Sequence, residues 1–380
     1  MDPLAARSLF PLTQHFIFMN HAGVAPMSDR ARAAIEALME QMTARPCPDG
    51  LAGEEADRLR RSLAALLGAE PESIGLVRGT AHGLSLLAQG IDWRAGDNVV
   101  GARGEHPANV YPWMALASRG VEYRMADPCH GRIRPEDVLD LVDDRTRLVA
   151  LSHVEFWNGY RLDVRTIGDE LDRRGVILAL DGMQSVGALR LDLSRLPVDF
   201  LATGAHKWLL GPIGIGFCYC RPELLRRLRP VLVGAGSVKV PGELFRYDLD
   251  LCETARRFEE SGVSVLDMAA FQAAVDLLLE VGTDVVEQRV MRLAAQLAGG
   301  LADRGYELVE PWPRGAGESS GIVSFRRPGA SAHQILRDLT AAGVVGRVQD
   351  DFVRLAPHFY NTEEEVERVL DVLAPPGAAG

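Results

Sequence analysis

Phe200-Leu-Ala-Thr-Gly204 is a short apolar run, and the residues after it, Ala205-His-Lys-Trp-Leu-Leu-Gly-Pro-Ile-Gly-Ile-Gly216, carry Lys207 out of its end into a glycine-rich turn. The run has the length and apolarity of a buried strand, and Gly214 to Cys220 reads as the strand after the turn. Upstream, Val176-Ile-Leu-Ala-Leu-Asp181 is a second such run, ending on a carboxylate. In an open parallel sheet the ligand crevice lies outside the carboxyl ends of the strands, so Lys207 and Asp181 are both expected at that edge.

Further strand-like runs at Ser73–Val77, Asn98–Ala102 and Arg147–Val154 alternate with helix-like stretches from about Arg30 to Val240. This pattern predicts an α/β fold with a mainly parallel central sheet and helices on both faces. Helical stretches at Val265–Val281 and Val285–Arg304 then precede shorter strand-like segments such as Gly321–Phe325. A large domain over 20–250 is expected, with a smaller α+β domain over 251–380 joined by residues 1–19. Pro311–Gly317 reads as a surface loop and Pro375–Gly380 as a disordered tail.

Bulk composition narrows the class. The 380 residues are 47% hydrophobic and carry a formal net charge of -11, which permits a large core and argues against a polyanion partner such as nucleic acid. No signal-like start and no membrane-length apolar run is visible, so a cytoplasmic protein is expected. Cys47, Cys129, Cys218, Cys220 and Cys252 are scattered and never form a C-x-x-C pair, which predicts neither a disulfide framework nor a metal site. Cys218 and Cys220 alternate, as buried packing residues on one strand face would.

Lys207 and Lys239 are the only lysines in the chain. An imine to a carbonyl needs an amine that can lose its proton, which arginine cannot supply. Lys239, in Gly-Ser-Val-Lys-Val-Pro-Gly, reads as an exposed loop lysine, whereas Lys207 is followed by apolar Trp208, Leu209 and Leu210. An Asp at the position of Asp181 suits either a turn cap or a partner for a protonated ring nitrogen. Gly79-Thr80-Ala81, between a strand and a helical pattern, offers amides at a helix start for a phosphate, or a simple helix entry. His106 offers a flat ring for stacking and proton transfer, or a structural histidine. Arg347 and Arg354 offer guanidiniums to a substrate carboxylate, or to surface acids.

Taken in order, Asn20-His-Ala-Gly-Val-Ala-Pro, Arg78-Gly-Thr-Ala, Glu105-His-Pro-Ala-Asn, Asp181-Gly-Met-Gln-Ser, His206-Lys-Trp, Arg257-Phe-Glu and Arg354-Leu-Ala-Pro-His-Phe-Tyr-Asn-Thr resemble the class V aminotransferase family over nearly the whole chain. The resemblance implies the fold-type I architecture and pyridoxal 5'-phosphate (PLP) as cofactor. It implies Lys207 for the aldimine, Asp181 for the pyridine nitrogen, Gln184 near the phenolic oxygen, His106 for ring stacking, and Thr80 and His206 for the phosphate. Arg354 matches the arginine that holds the substrate carboxylate, and Asn20 falls in a motif expected near the substrate. A homodimer with active sites at the subunit interface is also implied.

Three departures qualify the resemblance. No cysteine follows Cys252, so the nucleophilic thiol of family desulfurases is missing from its usual stretch. Gly204 stands where relatives carry a serine, leaving Thr203 as the neighbouring hydroxyl. Glu260-Ser-Gly-Val-Ser replaces a Gly-Thr offered to the partner's phosphate, with Ser261 and Ser264 as candidates. The expected reaction is amino transfer on a small amino compound. Elimination, C–S cleavage and epimerisation share its first steps, and a desulfurase or a binding protein without turnover stand as rivals.

Overall fold

A computed structural model of the chain describes residues 1–46, 51–240, 245–309, 315 and 317–373. Cys47, most of the Pro311–Gly317 loop and the Pro375–Gly380 tail lie outside the described residues. A short β1 (Ile17–Phe18) precedes seven strands of one sheet, β2 (Ile74–Val77), β3 (Asn98–Ala102), β4 (Glu122–Ala126), β5 (Thr146–Ser152), β6 (Ile177–Asp181), β7 (Phe200–Gly204) and β8 (Gly216–Cys220). Their order is β2-β8-β7-β6-β5-β3-β4. Only β8 runs against the others, pairing antiparallel with both β7 and β2.

Period-two alternation explains why this sheet is covered twice. Val149, Leu151, Leu178, Leu180 and Leu201 pack into one apolar core, and Leu148, Ala150, Ile177, Ala179, Phe200 and Ala202 into another. Successive side chains of a strand point to opposite faces, so both faces are buried. The first core includes Leu59, Leu63 and Leu67 of helix Leu51–Leu67 and Phe271, Ala274 and Leu278 of helix Val265–Val281. The second includes Leu84 and Leu87 of helix Thr80–Gly90, together with Cys218 and Cys220. The fold is therefore the mainly parallel α/β arrangement expected, with helices on both faces.

A four-stranded antiparallel sheet follows, of β9 (Glu307–Leu308), β10 (Val323–Arg326), β12 (Arg347–Gln349) and β13 (Phe352–Leu355), in the order β12-β13-β10-β9. β11 (Val344–Val345) pairs instead with β1. Its core joins Leu293, Leu297 and Leu301 of helix Thr283–Asp303 to Phe325, Val353 and Leu355, and draws in Ile17 and Met19 from the start of the chain.

Candidate active site

A cavity of about 870 Å³ opens at the carboxyl ends of the large sheet's strands, and the small sheet closes one side of it. Asp181 ends β6, and Lys207 stands three residues past β7. Both line the cavity, together with Gly79, Thr80, Ala81, His106, Gln184, His206, Arg347 and Arg354. Asn20, Thr203, Ser261 and Ser264 fall outside this lining.

Lys207 is half-buried, and its amine makes no hydrogen bond or ion pair among the described residues. Burial pushes its amine down to about 8, with Arg354 and Arg347 in the same direction and Asp181 opposing. Asp181 is 5% exposed and accepts a 2.8 Å hydrogen bond from the Met183 amide. Burial lifts its carboxyl to about 6, against the pull of Met183 and Lys207. The turn after Lys207 is closed by the Leu210 amide, which donates to the Lys207 carbonyl at 3.0 Å. Buried Leu210 has φ of 59°, a left-handed conformation rare for a side chain of this type and one that concentrates at functional sites.

The loop carrying Lys207 is tied down by its neighbours. Buried Trp208 donates its indole N–H to Gln184 Oε1, and its carbonyl accepts from His358 Nε2 at 2.9 Å. Gln184 also donates to the Ala22 carbonyl at 3.1 Å. One N–H of the Gln184 carboxamide remains for a ligand.

Helix Thr80–Gly90 starts at the cavity. Its N-cap Gly79 has φ of 151° and ψ of -178°, a region essentially reserved for glycine. The first-turn amides of such a helix have no intrahelical acceptor, and the Thr80 hydroxyl is buried without any partner among the described residues. These groups, beside half-buried His206, fit a phosphate. The carboxylate of Asp181, the free amine of Lys207 and this donor cluster lining one cavity fit PLP.

His106 is exposed on the rim; its Nδ1 accepts from the Ala108 amide and its ring meets Phe156 edge-on at 5.3 Å. Arg354 is 2% exposed, donates through Nη1 to the Phe156 carbonyl, and keeps a buried Nε unpaired. Arg347 is exposed at the cavity mouth.

The residues outside the lining have other engagements. Asn20 bridges its backbone to Ala356 and leaves a buried Oδ1 unpartnered. The Thr203 hydroxyl faces the Gly204 carbonyl and the Met183 sulfur, so it does not stand in for the missing serine hydroxyl in this cavity. A Cβ at Gly204 would press on the His206 ring at 3.3 Å. Ser261 and Ser264 line a neighbouring cavity that shares Arg78 and His82 with this one, and Ser264 Oγ caps helix Val265–Val281 by accepting from Asp267.

Several lining residues carried no assignment in the sequence: Ser152, Phe156, Met183 and Gln349. Behind them lie two buried acids. Glu105 accepts from the Ser152 amide and hydroxyl and from Asn109 Nδ2, and burial lifts it to about 7. Glu155, wholly buried with Oε2 unpartnered, is raised well above the carboxylate range by burial and then by Glu105 and Asp181. Glu105 sits inside the quoted Glu-His-Pro-Ala-Asn motif, a signal in reach of the sequence; Glu155 lies in no motif.

The Aminotransferase class-V family pattern matches residues 17–369. A probable cysteine desulfurase of Pyrococcus abyssi is 28% identical over 412 aligned positions, covering 98% of this chain and 96% of that protein. Isopenicillin N epimerase of Streptomyces clavuligerus is 30% identical, covering 83% and 82%. Among solved structures, the cystine C–S lyase C-DES superposes closely. A variant of it with glycine covalently linked to the PLP cofactor gives a TM-score of 0.90 at 25% identity, covering 97% of this chain and 98% of that one. Its complex with cysteine persulfide gives 0.89 at 26% identity, covering 96% and 100%.

Proposed function

The chain belongs to the class V aminotransferase family and is a PLP-dependent enzyme, and on that premise we propose that it transfers the amino group of a small amino acid, with Lys207 carrying both the cofactor and the proton. Bound PLP supplies an aldehyde carbon that captures amines and a ring that accepts the electrons released at Cα.

The chain's own residues do the rest. An amine held near 8 is neutral in about a tenth of molecules at pH 7, and only the neutral form attacks a carbonyl or abstracts a proton. Asp181, ionised above about 6, presents a negative charge that keeps a facing ring nitrogen protonated. The helix start at Thr80 and the His206 ring anchor the phosphate, His106 covers the ring, Gln184 reaches the phenolic oxygen, and Arg354 grips the substrate carboxylate. Lys207 is then free to move a proton between Cα and the cofactor carbon.

The observation that carries this reading is the unpartnered Lys207 amine in the same cavity as Asp181. Borohydride reduction followed by peptide mapping tests it. The expected result is PLP fixed on Lys207 and a Lys207→Ala variant without a reducible chromophore; label elsewhere, or a chromophore kept in the variant, overturns it. Keto acid release identifies amino transfer.

The likeness to C-DES favours a second reading, C–S cleavage, for which ammonia, pyruvate and sulfur products are the signature. A desulfurase with a persulfide relay is less well supported, because Cys252, the last cysteine, is buried and does not line the cavity. A cytoplasmic homodimer, with Ser261 offered to the partner's phosphate, belongs to the same proposal, and sedimentation analysis of the purified protein checks the assembly. Among the described residues no helix is long and apolar enough to cross a membrane.

A further inference from the structure

β12 and β13 pair antiparallel with Arg347 directly opposite Arg354. Like charges placed opposite each other across a ladder are destabilising. Among the described residues no acid is paired with either guanidinium. Arg354 spends one N–H on a backbone carbonyl and leaves Nε buried and unpaired. The Arg347 guanidinium makes no hydrogen bond or ion pair among the described residues. The single acid among the lining residues, Asp181, belongs to the other sheet and lies at the end of β6; the lining's other cations are Lys207 and Arg78, the latter paired with Glu260. Burial and Arg347 together hold the Arg354 guanidinium down to about 10, with no carboxylate relieving it.

The two arginines also differ in depth. Arg354 is 2% exposed, whereas Arg347 is exposed at the mouth. Gln349, two residues from Arg347 on the same strand face, lines the cavity too and adds a carboxamide. One carboxylate gripped through both oxygens occupies one guanidinium. An α-carboxylate on Arg354 therefore leaves Arg347 and Gln349 without a ligand.

We propose that the substrate is a dianionic amino acid, its α-carboxylate on Arg354 and a second carboxylate or comparable oxyanion at the end of its side chain on Arg347 and Gln349. The inference rests on the PLP reading above, which assigns the amine to Lys207 and the α-carboxylate to Arg354. Arg347 is then the residue that sets specificity.

Ligands without an amine test this apart from turnover. Calorimetric titration of the PLP-loaded protein with succinate and with butyrate, a monoanion of equal chain length, is expected to give binding about tenfold or more tighter for succinate, the scale of a charge-assisted hydrogen bond. Arg347→Gln should weaken succinate at least about tenfold more than butyrate, Arg347→Lys should restore part of the difference, and the aspartate-to-alanine ratio of kcat/KM should follow. Equal affinities for the two acids, or equal losses in Arg347→Gln because both arginines share one carboxylate, overturn the inference. Unchanged circular dichroism of the variant excludes misfolding as the cause. The visible spectrum keeps the two readings separate. A chromophore on Lys207 without diacid preference sinks only the substrate class, whereas succinate preference in a protein lacking that chromophore sinks the PLP chemistry and leaves the dianion site standing.

Discussion

Trp208 donates its indole N–H to Gln184 Oε1 at 2.9 Å, joining the residue after Lys207 to the loop after Asp181. The ends of β6 and β7 are thereby fixed to each other at the level where an amine and a carboxylate share a cavity. The same tryptophan meets His358 through its carbonyl, and His21 Nε2 meets Tyr360 at 2.6 Å, so the lysine loop is clamped by segments from both ends of the chain.

Trp208→Phe keeps an aromatic ring but removes the donor, leaving Gln184 Oε1 buried without a partner. A buried acceptor left unpaired costs about 1–3 kcal/mol, so an unfolding free energy lowered by that amount in urea titration is expected. Activity should fall more than cofactor content, because the amine is misplaced rather than lost. Wild-type stability in the variant would show that the clamp does not hold the loop.

The two ends of this clamp were not equally legible in the sequence. Lys207 stood out because arginine supplies nearly all other basic charge and because a strand-like run leads directly to it. The large sheet was readable where both faces are buried, as in the Asn98–Ala102 and Phe200–Gly204 runs, whose bounds match β3 and β7. β4 was missed since its Glu-Tyr-Arg-Met-Ala is a polar edge strand, the composition that blunts an exposed edge. Long-range partners leave no local trace: nothing in the spacing of Gln184 tells of Ala22 or Trp208, and nothing in the Arg347 and Arg354 motif gives the register that sets them face to face. The resemblance gives Gln184 to the cofactor alone, whereas two of its four hydrogen-bonding positions serve the scaffold.

Lys207 itself should tax the stability of the cofactor-free protein. Its amine titrates near 10.5 when unfolded and near 8 when folded, burial being the main cause. Between those values the unfolded chain binds more protons, so stability rises with pH across that window, and the cost is fully present below about 8. A fall from 10.5 to about 8 corresponds to at most about 3 to 4 kcal/mol, less with solvent screening of a half-buried group. Lys207→Met apoprotein is therefore expected to be more stable than wild type at pH 7, with the gap closing by about pH 10.5. Parallel curves for the two proteins from pH 7 to 10.5 would refute the buried-amine assignment.

Glu259 supports the phosphate end from behind. Its carboxylate takes Arg60 through Nη2 at 2.5 Å and Nε at 3.3 Å, and accepts the Leu76 amide of β2 at 2.9 Å. Both partners are buried. Removing one member of a buried pair and stranding the other charge costs about 3–5 kcal/mol, whereas replacing both by apolar groups is often neutral; Arg60 keeps a second bond to exposed Asp57 at 2.5 Å, which lowers the expected loss to about 2–3 kcal/mol. Glu259→Ala should lose that much in guanidinium unfolding and bind PLP more weakly, since β2 leads straight to Gly79. The Arg60→Met, Glu259→Leu double variant should recover most of the stability; if it is as unstable as the single variant, packing rather than charge explains the loss.

Gly79 offers the sharpest separation of backbone from side chain at the phosphate end. A Cβ added there meets nothing within 4 Å, so crowding does not require the glycine. Its φ of 151° with ψ of -178° does: an L side chain in that region costs about 1–3 kcal/mol, and relief of the strain re-aims the first-turn amides that follow. Gly79→Ala should thus weaken PLP binding, measured by fluorescence titration of apoprotein, by more than Thr80→Val, which removes a single hydroxyl and leaves the amides in place. Wild-type PLP affinity in Gly79→Ala, with wild-type stability of the apoprotein, would mean that the start of this helix does not seat the phosphate.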